Sequence, residues 1–198
     1  MADNPAFEVQ TYGQSLWLDY IHRQELQDGT LQHRIENQGI RGVTSNPSIF
    51  QRAIGDSETY DDAMQSMLDL DTQDVYENLA IADIQAAADL FLPIYEASNG
   101  QDGFVSLEVS PLLANNTADT VQEAQRLAEA VDRPNLMVKI PGTEAGLPAI
   151  EETIAAGISV NVTLLFAVDN YEKVAEAYIR GLKRRLEAGK DIQQIASV

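Results

Sequence analysis

Apolar and polar positions along this chain switch repeatedly between a period of two and a period near 3.6, the mark of strands alternating with helices. Residues 15–20, SLWLDY, put Leu16, Leu18 and Tyr20 on one face and Ser15, Trp17 and Asp19 on the other. Residues 42–45 form a second short strand, with Thr44 and Asn46 alternating with Val43 before Asn46-Pro47 ends it. Residues 103–109 (GFVSLEV), 136–140 (LMVKI) and 158–165 (ISVNVTLL) are three more strands, and 195–198 reads as the start of a sixth. The intervening patterns predict a helix over 31–38 after Asp28-Gly29-Thr30, and one or two helices over 47–68. A long helix follows over 72–97, capped at Asp71 or Thr72 and kinked at Pro93. Further helices are predicted over 119–131, 145–156 and 170–188. The last has an inner stripe of Tyr171, Val174, Ala175, Tyr178, Ile179 and Leu182. Residues 1–14 read as a polar lead-in.

Strands alternating with helices imply parallel pairing through right-handed crossovers, in either an open doubly wound sheet or a closed barrel. No glycine-rich phosphate fingerprint follows the first strand, which speaks against a dinucleotide-binding sheet. The facing pattern favours the barrel. Each strand carries polar groups near its C-terminal end: Asp19, then Thr44 and Asn46, then Ser106 and Glu108, then Lys139, then Asn161 and Thr163. The opposite faces are apolar and would meet helices. Barrel enzymes build their sites from strand ends in this way. The expected fold is α/β, of the (β/α)8 TIM-barrel family, with about the first six strands present and the last two missing. Residues 1–198 are expected to form one catalytic domain, truncated at its C-terminal end.

Composition narrows the chemistry. The 198 residues are 44% hydrophobic and 22% charged, ordinary for a globular domain. With no cysteine, a disulfide, a thiolate metal site and a cysteine nucleophile are all excluded. Two histidines, His22 and His33, argue against a histidine-rich metal site. No run approaches the ~20 apolar residues of a membrane span, and no signal-peptide pattern opens the chain. A soluble, cytoplasmic protein is expected. The net charge of −18 disfavours nucleic acid and anionic membranes as partners. A phosphorylated substrate would need local positive groups to hold it against that field.

Lys139 is the most informative single residue. It lies in NLMVKIPGT at 135–143, on the strand face opposite Val138 and Ile140. An ammonium facing inward there is expensive unless it is paired or its pKa falls. A neutral lysine amine is the nucleophile that forms Schiff bases with carbonyl substrates. Each candidate also fits a structural role taken alone. Lys139 can snorkel to water, Asn46 can cap a helix that starts at Pro47, and Asp19 and Glu108 can be solvated carboxylates. Together, two carboxylates, a lysine, amides and a hydroxyl at one barrel mouth form a carbonyl-chemistry site. In it the carboxylates move protons and the lysine makes the covalent bond.

The stretches FVSLEVSP, LMVKIPGTEAGLPAI and ISVNVTLLF resemble transaldolase, in its longer-chain subfamily, and LWLDYI and GVTSNPSIF match its first two strand motifs. The resemblance runs from about Leu16 to Val198. It implies that Lys139 is the Schiff-base lysine and that Asp19 is the acid/base for the donor's C4 hydroxyl. Glu108 would relay protons through a catalytic water that Thr163 helps hold. Asn46 and Asn161 would bind the dihydroxyacetone unit, with Thr44 beside them. The implied reaction moves that unit from sedoheptulose 7-phosphate to glyceraldehyde 3-phosphate. The products are erythrose 4-phosphate and fructose 6-phosphate, a step of the pentose phosphate pathway that needs no metal and no cofactor.

The family continues past its sixth strand with a serine- and arginine-bearing segment that anchors phosphate, and this sequence stops at Val198. Arg41 and Arg52 are the remaining candidates for local positive charge. As written, the chain is expected to be part of a longer one or to form an open, association-prone assembly. Two other readings stay open: a class I aldolase that releases free dihydroxyacetone, and a non-catalytic fragment or subunit completed by a partner.

Overall fold

The computed structural model describes residues 4–198. Two compact units are present, one ending at Val105 and the other spanning Ser106–Val198.

In the first unit the lead-in is helical rather than irregular. The Asn4 side chain accepts from the Ala6 amide and Pro5 occupies the first turn of α1, Pro5–Glu8. Both are strong helix-start signals. A 3-10 turn, Val9–Tyr12, follows and ends at Gly13 with φ 77°. Arg41 fastens this segment. Its Nε donates to Gln10 Oε1 at 3.0 Å, its Nη1 to Ile35 and Ile40 carbonyls at 3.1 and 2.9 Å, and its guanidinium covers the Phe7 ring at 5.3 Å. Arg41 is thus tied to the start of its strand.

Strand β1, Leu16–Asp19, pairs in parallel with β2, Ile40–Thr44, in a register that sets Trp17 beside Gly42 and Asp19 beside Thr44. A Cβ on Gly42 would lie 2.6 Å from the Trp17 indole, so only glycine admits the ring there. Helices α2 (Arg23–Gln27) and α3 (Thr30–Gln38) connect the two strands. The sequence pattern predicted α3 and missed α2. Beyond β2 come α4 (Pro47–Gly55), a 3-10 turn at Glu58–Tyr60 and α5 (Asp61–Gln65). Helix α6, Thr72–Ala97, is capped by the Asp71 side chain and runs through Pro93. Ala53, Tyr60 and Leu79 form a core with Ile54, Ala63, Met64, Met67 and Val75 packed on it.

Strand β3, Val105–Glu108, straddles the boundary between the units. In the second unit Val109 N donates to the Lys139 carbonyl of β4, Leu136–Pro141, at 3.1 Å. β4 pairs in parallel with β5, Ser159–Thr163, setting Lys139 beside Asn161 and Pro141 beside Thr163. The expected sixth strand begins as a parallel bridge between Val160 and Ser197, with Val162 N donating to the Val198 carbonyl at 2.8 Å.

Helices α7 (Thr117–Val131), α8 (Gly146–Ala156) and α9 (Val168–Glu187) complete this unit. Helix α9 buries Val174, Ala177 and Gly181, whereas Tyr171 is 60% and Ile179 62% exposed. The predicted inner stripe is therefore turned. The cause is close approach to α8, where a Cβ on Gly181 would meet the Ile154 side chain at 2.7 Å. Small residues make this contact, and the large apolar ones flank it.

Candidate active site

All six residues of β4 are buried, and Lys139 is 6% exposed. A buried ammonium requires a counter-charge. The counter-charge comes from the adjacent strand, where Glu108 Oε2 lies 3.5 Å from Lys139 Nζ. On the other side, Asn161 is Lys139's partner in the β4–β5 register. Asn161 Nδ2 donates to Ser106 Oγ at 3.0 Å, and Ser106 is fully buried two residues before Glu108. Residues two apart share a strand face. Ser106, Glu108, Lys139 and Asn161 therefore form one polar patch across three strands.

Thr163 stands two residues beyond Asn161 on the same face, and its hydroxyl is buried without a protein hydrogen-bond partner. Buried hydroxyls of this kind are normally satisfied by water or a ligand. The backbone around it is tightly fixed. Gly142 N donates to the Thr163 carbonyl at 2.8 Å, and the next residue, Leu164, takes φ 62°. That φ is uncommon for a branched residue and holds strain at the end of β5. The PGTEAG turn after β4 also depends on glycine. A Cβ on Gly146 would fall 2.0 Å from the Pro141 carbonyl, and Gly146 N is bonded to Thr143 Oγ1 at 2.9 Å.

The first unit carries a group of its own. Asp19 is exposed at the end of β1, in register with Thr44, whose hydroxyl is likewise buried without a protein partner. Asn46 caps α4, its Oδ1 accepting from Ile49 N at 2.9 Å. The cap predicted for Asn46 is thus present, and it turns the amide so that Oδ1 faces the helix. The structure brings Glu108, Lys139 and Asn161 into contact range in the second unit, with Thr163 one pair farther along, and sets Asp19 beside Thr44 in the first. Sequence reasoning placed Ser106 on the polar face but did not single it out. The available signal was its i, i+2 relation to Glu108.

Among the described residues, no group of three or more His, Asp or Glu side chains is arranged to hold a metal ion. No helix among them is long and apolar enough to cross a membrane.

A buried lysine paired with a carboxylate and flanked by an amide at parallel strand ends defines a lysine-centred α/β site suited to carbonyl chemistry. The family described as Transaldolase/Fructose-6-phosphate aldolase matches residues 16–198, and the chain belongs to that family. It is 52% identical to Transaldolase 2 of Nostoc sp. over 100% of this chain and 52% of that protein. It is 45% identical to the transaldolase of Trichodesmium erythraeum over 100% of this chain and 53% of that one. Identity to the transaldolase of Thiobacillus denitrificans is 49%, over 96% of this chain and 54% of the relative. The chain thus spans about half the length of the curated relatives it matches.

Proposed function

We propose that the protein is a transaldolase in which Lys139 forms a Schiff base with a ketose phosphate. The observation that supports this most directly is the buried Lys139 ammonium, 3.5 Å from Glu108 and in register with Asn161. In the proposed reaction the Lys139 amine adds to the C2 carbonyl of sedoheptulose 7-phosphate or fructose 6-phosphate. Glu108 moves the protons that let water leave, through a water held by Thr163. Asp19 takes the C4 hydroxyl proton, the C3–C4 bond breaks, and its electrons pass into the iminium. The aldose phosphate departs, and a three-carbon enamine remains on Lys139.

Asn161, fixed by Ser106, and Asn46, with Thr44, bind the hydroxyls of that unit until an acceptor aldehyde such as glyceraldehyde 3-phosphate arrives. Keeping water out preserves the enamine. We read the fold as part of a (β/α)8 barrel forming one catalytic domain. The family match and the parallel pairing within each unit support that reading.

The test is borohydride reduction of the full-length protein with fructose 6-phosphate, followed by peptide mass spectrometry. The expected adduct lies on the peptide containing Lys139. An adduct on Lys173, Lys183 or Lys190 overturns the assignment. Turnover to free dihydroxyacetone without an acceptor identifies an aldolase instead, and absence of any adduct identifies a non-catalytic chain.

A further inference from the structure

We propose that Arg23, Tyr60 and Asp83 form a clasp that positions Asp19, a role that rests on the reaction proposed above. The starting observation is that α2, the five-residue helix after β1, buries none of its residues. A helix this short lies far below the ~12–15 residues that sustain a helix unaided. Its one large apolar side chain, Leu26, is only half-buried. Polar contacts supply the rest.

Arg23 Nε meets Asp83 Oδ1 at 2.7 Å, and Arg23 Nη2 donates to the Leu79 carbonyl at 3.2 Å. The Arg23 backbone N–H donates to Tyr60 Oη at 3.1 Å, and that hydroxyl donates to Asp83 Oδ2 at 2.8 Å. The guanidinium also lies 4.4 Å from the centre of the Tyr60 ring. His22 completes the start of α2, its Nδ1 accepting from Gln24 N at 3.1 Å while its ring meets Tyr60 edge-on. Tyr60 is fully buried and Asp83 is 2% exposed.

Bonds in such a dry site are strong only in one arrangement, because a displaced partner leaves a charge unsatisfied. Tyr60 therefore fixes the backbone at Arg23 directly. Arg23 follows Asp19 by four residues, with Ile21 buried between them. Four residues span at most ~14 Å, so a shift at Arg23 is passed to the strand end. A displacement of ~1 Å in a reacting group can cost on the order of 10²-fold in rate. Asp19 is itself exposed, so its position depends on the β1–β2 pairing before it and on this clasp after it.

Tyr60→Phe removes the single hydroxyl that joins the Arg23 amide to Asp83 and keeps the buried ring. Hydrogen exchange on the full-length variant is expected to quicken at least ~10-fold across residues 16–27, with α6 remaining protected. Its kcat for donor cleavage is expected to fall about 10-fold, with KM within about twofold and Lys139 trapping by borohydride unchanged. Arg23→Lys, which keeps the charge and loses the forked contacts, should give the same pattern. Faster exchange confined to residues 23–27, or kcat unchanged per folded molecule, overturns the positioning role and leaves a purely structural clasp. The exchange measurement needs no activity. If the parent protein forms no Lys139 adduct, the functional reading fails while exchange over residues 16–22 still decides the clasp.

Discussion

Arg23–Asp83 and Lys139–Glu108 each take a cation and a carboxylate out of water, one pair in each unit of the chain. In the first pair both carboxylate oxygens are engaged, Oδ1 by Arg23 at 2.7 Å and Oδ2 by the Tyr60 hydroxyl at 2.8 Å. Their side chains are 11% and 3% exposed. In the second pair Glu108 Oε2 stands 3.5 Å from the ammonium, and the Glu108 side chain is 17% exposed. The cations differ as well. A guanidinium stays charged and binds through a rigid fork, whereas a lysine amine can lose its proton and act as a nucleophile. The first pair is built to stay as it is. The second joins Lys139, the proposed nucleophile, to a carboxylate that retains access to solvent. Burial of a charge pair therefore does not by itself locate a reactive site. The kind of cation and the exposure of its carboxylate, 3% for Asp83 against 17% for Glu108, separate the two.

The sharpest way to break this contrast is at the two cations. Lys139→Met should lower turnover of the full-length protein by at least ~10⁴-fold, because the proposed reaction runs through a covalent bond to its amine. It should abolish the borohydride adduct while leaving the melting transition cooperative. Residual turnover above a hundredth of the parent's would remove Lys139 from the chemistry.

At Asp83 the effect moves from rate to stability. Asp83→Ala strands the Arg23 guanidinium in a dry site, and breaking a buried pair in this way costs about 3–5 kcal/mol. Urea titration should show that loss as a lower midpoint. A cost under about 1 kcal/mol would mean that the cluster is wetter than its geometry indicates. Glu108→Gln should act chiefly on rate. Its proposed proton-transfer role predicts a fall of ~10²–10⁴ in turnover. A loss of stability should accompany it, because the Lys139 side chain is only 8% exposed and loses its counter-charge. Unchanged turnover would remove Glu108 from the proton transfers.

The same contrast explains what was legible in the sequence. The shared face of Lys139, Glu108, Asn161 and Thr163 was legible because strand alternation assigns a face to every residue, and the register aligns them. Helix α6 was found with its bounds, since its cap at Asp71 and its apolar spacing agree. Asp83 was not found, because a lone acid within a long apolar helix looks like a solvent-facing residue until its partner from another element is known. Helix α2 was missed for the same reason. What holds it is Arg23 reaching Tyr60 and Asp83, residues 37 and 60 positions away, and no local periodicity records that. The lead-in was misread although Asn4-Pro5 is a helix-start signal. On α9, apolar size misled: Ala177 and Gly181 are buried, whereas Tyr171 and Ile179, placed on the inner stripe by the sequence pattern, are exposed.

The smallest effect concerns pH, and it sets Asp83 against a surface carboxylate, Glu151. Burial, outweighing the Tyr60 and Arg23 contacts, pushes the Asp83 carboxyl above its ordinary 3.8. Hydrogen bonds from Arg180 and Arg184 hold Glu151 below its ordinary 4.5, with Arg180 Nε 2.7 Å from Glu151 Oε2. A raised acid binds its proton more readily folded than unfolded. Its stabilising contribution is therefore complete below pH 3.8 and is lost as pH rises through its folded value. A lowered acid does the opposite. The contribution of Glu151 is present above pH 4.5 and is lost as pH falls through its folded value.

Subtracting the stability of Asp83→Asn from that of the parent at each pH should thus give a difference that falls from pH 3.8 upward. The same subtraction for Glu151→Gln should give one that rises as pH climbs to 4.5. The Glu151 contribution should be about 1 kcal/mol at most and should shrink in salt, because its arginine partners are largely exposed. Urea midpoints from about pH 3 to 7 at low and high salt measure both slopes. Two slopes of the same sign would show that the Arg23 and Tyr60 contacts outweigh burial at Asp83, making the interior pair a deeper version of the surface one.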